Sequence, residues 1–148
     1  MAREDSLAKL ALKTWLIDTG PLVAYLDRTD PAHSTVAKVF GPFTGQFSTT
    51  SAVITEAMHF LGDVRDGPMM LAELVRDADV QTFECTRHNQ LIVAATMMRK
   101  YADTPMDFAD ATLVLLAGQL KIAEIFTLDR RGFSTYRTPD GGQFRLVL

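Results

Sequence analysis

The sequence predicts an α/β protein built on one mostly parallel sheet of about five strands. Two observations predict this class: short apolar runs alternate with longer segments of helical periodicity, and Gly or Pro stands at several of the boundaries. Strands that are separated by helices form βαβ units, whose strands are parallel and whose helices cover both faces of the sheet. A length of 148 residues fits one such domain, and 47% apolar residues can supply its core.

The elements follow in order along the chain. Five segments have the continuous or alternating apolar and β-branched residues of strands: 14–17, 46–49, 80–84, 124–128 and 143–148. Six segments have helical periodicity: 21–26, 32–40, 52–61, 67–77, 87–101 and 104–120. Residues 14–148 therefore form the domain, and residues 1–13 are an N-terminal extension that is interpreted as an amphipathic helix or a tail.

Local signals place several of the helix ends. Pro21 is predicted at a first helical position, and Thr50 or Ser51 is predicted to cap the third helix. Thr104 and Asp107 have capping-box spacing, with Thr104 as the N-cap and Asp107 at the third helical position.

The charge balance, the cysteine content and the lengths of the apolar runs limit the classes of protein to which the chain can belong. The chain has 15 Lys and Arg against 18 Asp and Glu, so it lacks the basic excess of proteins that bind nucleic acid through phosphate neutralisation alone. A single cysteine, Cys85, can form no internal disulfide, and we expect it to pack at a strand end. No export signal is evident and no apolar run approaches the ~20 residues of a membrane span. We therefore expect a soluble, cytoplasmic protein.

Four acids stand out because each interrupts an apolar stretch: Asp18, Glu56, Asp110 and Asp129. Asp18 and Asp129 each follow a predicted strand, at the sheet edge where parallel α/β proteins bind ligands. Asp110 shares a helical face with apolar residues, and a buried carboxylate is costly unless it is paired or binds a metal. Without these four acids the chain carries 15 basic and 14 acidic residues, so the acidic excess is local.

Clustered carboxylates repel one another and need a counter-charge. An oxygen-only donor set, with one cysteine and three scattered histidines, favours Mg²⁺ or Mn²⁺ over Zn²⁺. Such ions polarise a phosphate and activate water in phosphodiester hydrolysis.

Four short motifs extend this interpretation: Ile17-Asp18-Thr19-Gly20-Pro21-Leu22, Thr55-Glu56-Ala57, Asp107-Phe108-Ala109-Asp110-Ala111 and Phe126-Thr127-Leu128-Asp129-Arg130-Arg131-Gly132-Phe133. These motifs occur in this order over residues 16–136. Through their order and spacing the sequence resembles a PIN domain, and more narrowly the VapC-type toxin ribonucleases of bacterial toxin–antitoxin pairs.

The resemblance implies a metal-dependent endoribonuclease in a three-layer α/β/α sandwich, with the four acids as catalytic and metal-binding residues and Asp107 as a fifth metal ligand. Thr19 and Thr127 are expected to support the site by hydrogen bonding. The implied partners are RNA, a cognate antitoxin that reaches toward the acidic pocket with a basic side chain, and a second copy of the chain.

Ordinary structural roles compete with each of these assignments. Asp18 and Asp129 are also typical of turns, Glu56 of an exposed helix face, and Asp107 of a helix cap as much as of a metal ligand. Arg130 and Arg131 are interpreted as contacts to RNA phosphates, with plain surface charge as the alternative. For the whole protein, the alternatives are a non-catalytic RNA- or protein-binding module and a housekeeping RNA-processing nuclease.

Overall fold

The structure is a computed structural model that describes residues 13–148, so the predicted N-terminal extension, apart from Lys13, lies outside the described residues. The described chain forms five strands: β1 (Thr14–Ile17), β2 (Gln46–Thr50), β3 (Gln81–Phe83), β4 (Glu124–Phe126) and β5 (Arg145–Leu146). It also forms seven α-helices: α1 (Thr19–Leu26), α2 (His33–Phe40), α3 (Ser51–Phe60), α4 (Gly67–Asp77), α5 (His88–Lys100), α6 (Phe108–Leu120) and α7 (Arg130–Thr135). A 3₁₀ turn, Leu61–Asp63, follows α3.

The five strands form one sheet in the order β3-β2-β1-β4-β5, and every pairing is parallel. Leu16 of the central strand β1 pairs with Ser48 on one side and with Ile125 on the other. The chain moves outward from β1 to β3 and then returns to β4, so the strand order reverses between β1 and β4. The predicted parallel sheet of about five strands is confirmed.

Helices cover both faces of this sheet. Successive strand residues point to opposite faces, and both Leu16 and Ile17 are completely buried. On one face, Phe40 of α2 stacks on Phe47 of β2 with ring centroids 4.8 Å apart. On the other face, the hydroxyls of Thr50 in β2 and Thr112 in α6 lie 2.8 Å apart. The structure is therefore the three-layer sandwich that the resemblance implies.

Two predicted helix starts are wrong. Helix α1 begins at Thr19, with Asp18 as its N-cap, so Pro21 is the third helical residue and not the first. Helix α6 begins at Phe108, with Asp107 as its N-cap, so Thr104 does not cap it and Asp107 is not its third residue. The carbonyl of Pro105 instead accepts a hydrogen bond from the Tyr136 hydroxyl (2.8 Å), which holds this segment outside the helix.

Helix α7 had no signal in the sequence. Its six residues are too few to show a helical period, and its start depends on the Asp129 carboxylate, which accepts the Gly132 N–H. Thr50 does cap α3, as one of the two predicted choices. Cys85 is buried just beyond β3, as expected. Within residues 13–148, no helix has the length and apolar character that crossing a membrane requires.

Candidate active site

Asp18 lies at the carboxyl end of the central strand. Its N–H donates to the Phe126 carbonyl of β4 (3.0 Å), and its carboxylate accepts the Thr19 N–H (2.8 Å) and the Thr127 hydroxyl (2.7 Å). The pKa of Asp18 is raised to about 6 in spite of these two hydrogen bonds, mainly by burial and to a smaller extent by the charges of Asp107 and Glu56. Phe126 of β4 thus fixes the Asp18 backbone, and Thr19 and Thr127 fix its carboxylate, at the point where the strand order reverses.

Asp129 is joined to Asp18 through one threonine. The Thr127 hydroxyl that donates to Asp18 also accepts the Asp129 N–H (3.0 Å). The Asp129 carboxylate accepts the Gly132 N–H (2.9 Å), and a Cβ at position 132 would collide with the other oxygen of this carboxylate. Glycine at position 132 therefore permits this close approach of the acid to the start of α7.

Asp107 and Asp110 hold one another at the start of α6. The Asp110 N–H donates to the Asp107 carboxylate (2.8 Å), and the Asp107 N–H donates to the Asp110 carboxylate (3.1 Å). Burial raises the pKa of Asp110 to about 8, and the charges of Asp107 and Asp18 contribute to the rise. Asp107 therefore caps the helix and also faces the other acids, so the cap and the ligand roles do not exclude one another.

Glu56 reaches the same place from α3. Burial raises the pKa of this carboxyl, the nearby Thr19 hydroxyl opposes the rise, and the charge of Asp107 adds to it. The Thr19 hydroxyl is buried and lies near Glu56, but it makes no hydrogen bond of regular geometry among the described residues. Of the two predicted supporting threonines, Thr127 thus bonds Asp18 through its hydroxyl, whereas Thr19 does so through its backbone N–H.

The helices that carry Glu56 and Asp110 are linked by a chain of hydroxyl groups. Thr112 donates to the Ala109 carbonyl (2.7 Å), so the proton between the two threonine hydroxyls comes from Thr50, which in turn accepts the Val53 N–H (3.3 Å). Thr50 and Thr112 are both buried, so the bonds between α3 and α6 are shielded from water. The role of Thr112 has no signal in the sequence.

The four predicted acids and Asp107 line one open pocket with a volume of about 510 Å³, whose wall also includes the acid Asp30. Sequence reasoning missed Asp30, whose carboxylate accepts the Ala32 N–H (2.8 Å) before α2. No lysine or arginine lines this pocket in the described part of the chain. Arg130 and Arg131 lie outside it, and the Arg130 guanidinium donates to the Leu148 carbonyl.

The donor set suits a hard, hydrated cation. The pocket offers carboxylate oxygens, and burial, followed by the charges of neighbouring acids, raises the pKa values of Asp18 and Asp110. Within residues 13–148, no three acids converge closely enough to enclose one ion directly. Mg²⁺ commonly takes one or two carboxylates and keeps several waters, so such an ion does not require three converging acids.

Comparison with known proteins identifies the family. The chain is 30% identical over 134 residues to Ribonuclease VapC26 of Mycobacterium tuberculosis, a match that covers 89% of this chain and 98% of that protein. The chain belongs to the VapC family. Its VapC fold superposes on the crystal structure of Mycobacterium tuberculosis VapC20, a sarcin-ricin loop cleaving toxin, with a TM-score of 0.70. That match has 17% identity and covers 80% of this VapC chain and 91% of VapC20. No family model matches the sequence.

Proposed function

We propose that this protein is an endoribonuclease that depends on Mg²⁺ or Mn²⁺, and that it is the toxin of a toxin–antitoxin pair. One observation supports this most directly: in a member of the VapC family, the carboxylates that follow β1 and β4, together with those on α3 and at the start of α6, line a single pocket at the strand-order reversal. The proposed partners are RNA, a cognate antitoxin and a second copy of the chain.

The proposed roles follow from where each acid lies. Asp18, fixed by Thr127, and Asp110 are the most buried of the four and would hold the cation, with Glu56, Asp107 and Asp129 around it. A bound Mg²⁺ or Mn²⁺ would supply the positive charge that binds the RNA phosphate and lowers the pKa of an attacking water. Glu56, less buried and carrying a raised pKa, would accept a proton from that water. Arg130 and Arg131 stay predicted contacts to phosphates further along the RNA.

The direct test is RNA cleavage by the purified protein. We expect cleavage of a mixed RNA pool with Mg²⁺ or Mn²⁺ and no cleavage with EDTA, because without the cation the pocket repels the phosphate. Glu73→Gln, which removes an exposed acid on α4 outside the pocket, is expected to cleave like the wild type and serves as the matched control. Cleavage that survives EDTA would contradict the proposal, and RNA binding without cleavage would favour a non-catalytic binding module.

Cation binding should also be visible without RNA. We expect Mg²⁺ or Mn²⁺ at about 100 times its Kd to raise the Tm by about 5–10 °C, since a ligand that binds only the folded state stabilises it by about 2.7 kcal/mol at this ratio. The rise is expected in wild type and in Glu73→Gln, and it should be lost in Asp18→Asn. Differential scanning fluorimetry measures it, with KCl at matched ionic strength as the reference. An equal rise with KCl would argue against a specific cation site.

A further inference from the structure

Phe60 is the one aromatic residue among the large apolar side chains that are exposed in the described part of the chain. It is the last residue of α3, and 56% of its surface is exposed. The neighbouring His59 ring does not stack on it, since the ring centroids lie 5.8 Å apart with planes inclined at 57°. The other exposed apolar side chains are aliphatic: Met69, Leu91, Ile92, Val93 and Leu128.

Its position brings this ring to the acidic pocket. Phe60 follows Glu56 by four residues, so the two side chains lie on the same face of α3, one turn apart. Phe60 lines the pocket together with Leu128, which is also exposed, and with Val23. One part of the pocket wall is therefore acidic, and another part is apolar with an aromatic ring.

We propose that Phe60 is a stacking platform for a nucleobase of single-stranded RNA, next to the phosphodiester that is cleaved. This inference rests on the proposed function and adds to it one residue that would contact the RNA beside the cleaved bond. The pocket lining has no lysine or arginine within residues 13–148, so its side chains offer an RNA phosphate no positive charge, whereas the exposed Phe60 ring offers a base a stacking surface.

Stacking selects for unpaired RNA. A base in an A-form duplex already stacks on its neighbours, whereas a base in a loop or a single strand is free to stack on an aromatic side chain. Each such contact is worth a factor of about 5 to 150 in binding. The Leu128 side chain, which packs beside Gly20 at the same pocket, offers an apolar contact but no π-face.

The test compares three variants at position 60 on an oligonucleotide whose cleavage site has been mapped with the wild type. Phe60→Tyr keeps the π-face and should retain the wild-type KM. Phe60→Leu and Phe60→Ala should raise KM by about 5- to 150-fold, with a smaller change in kcat. An abasic nucleotide beside the cleaved bond should raise the wild-type KM equally and add nothing further to Phe60→Ala. Met69→Ala, an exposed apolar side chain outside the pocket, is the control.

A measurement of RNA binding tests the stacking role of residue 60 independently of RNA cleavage. The chain has one tryptophan, Trp15, which stacks on Phe43 in the fold, so Phe60→Trp adds one exposed reporter. Single-stranded RNA should quench its fluorescence, whereas the abasic oligonucleotide and a duplex should not. If the wild type cleaves no RNA while this quenching is seen, the proposed function fails and the stacking site stands.

Three outcomes would overturn the inference. A wild-type KM in Phe60→Leu would show that any apolar side chain suffices, and equal quenching by the abasic oligonucleotide would show that no base stacks there. The third outcome is a change of oligomeric state in Phe60→Ala by analytical ultracentrifugation, which would show that a second copy of the chain covers this ring.

Discussion

RNA cleavage is expected to fall by at least about 10²–10³-fold when Asp18 is replaced by Asn, since losing the central charge removes several kcal/mol of stabilisation. The amide side chain in Asp18→Asn retains one oxygen that can accept the Thr19 N–H or the Thr127 hydroxyl, so we expect the local fold to persist. Single-turnover cleavage at saturating Mg²⁺ measures the loss, and circular dichroism checks the fold.

The matched control separates this loss from a general effect of charge. Glu73→Gln changes the net charge by the same amount but lies outside the pocket, and its cleavage rate should stay within about two-fold of wild type, as is usual for surface substitutions. If Asp18→Asn cleaved RNA at the wild-type rate, the pocket would not be the place of catalysis.

Replacing Asp110 by Asn is expected to raise the stability of the protein at alkaline pH. The pKa of Asp110 is raised to about 8 in the folded protein, so the folded state holds its proton more tightly than the unfolded chain does. Ionisation therefore costs stability as the pH rises from about 4, the ordinary value for Asp, toward 8. Without cation, the wild type should be less stable at pH 8 than at pH 5.

Asp110→Asn should remove most of this pH dependence. We expect a gain at pH 8 on the order of 1–2 kcal/mol, since water in the open pocket screens part of the repulsion, and almost no gain at pH 5. An Asn side chain still offers an oxygen to the Asp107 N–H, so the cap of α6 is kept. Urea unfolding in EDTA at both pH values measures the difference.

Asp140→Asn is the control for this prediction. The Thr138 hydroxyl and the Gly142 N–H lower the pKa of Asp140, so its charge is favourable in the folded state and its removal should bring no gain. A gain in Asp140→Asn as large as in Asp110→Asn would show that net charge, and not repulsion within the pocket, limits stability.

The order of the elements could be predicted because the signals are local. The runs at 14–17 and 124–128 have the composition of buried strands, and the rule for parallel sheets then brings Asp18 and Asp129 to one edge. Thr50 could be predicted as a cap because Ser and Thr are preferred there. Glu56 and Asp110 could be singled out because each interrupts an apolar stretch, and the resemblance to the VapC-type ribonucleases then implied that they share this site.

The remaining features depend on contacts between distant residues. Asp107 caps α6 in place of Thr104 because the hydroxyl of Tyr136, more than thirty residues later, holds the carbonyls of Thr104 and Pro105. The hydrogen bond between Thr50 and Thr112 joins residues 62 positions apart, and no local sequence pattern at either residue predicts it. The position of Phe60 beside Glu56 could be predicted from the sequence, because a spacing of four residues puts both side chains on one face of a helix.

Three helices begin at this pocket, and each has an aspartate as its N-cap: Asp18 for α1, Asp107 for α6 and Asp129 for α7. Asn or Ser caps a helix about as well as Asp does, so helix stability alone does not require a carboxylate at any of these positions. At Asp18, one of these caps, and at Asp110, the third residue of α6, the raised pKa means that the charge opposes folding. A chain selected for stability alone would be free to carry neutral residues at these positions. Amide variants therefore distinguish the function of the pocket from the stability of the fold.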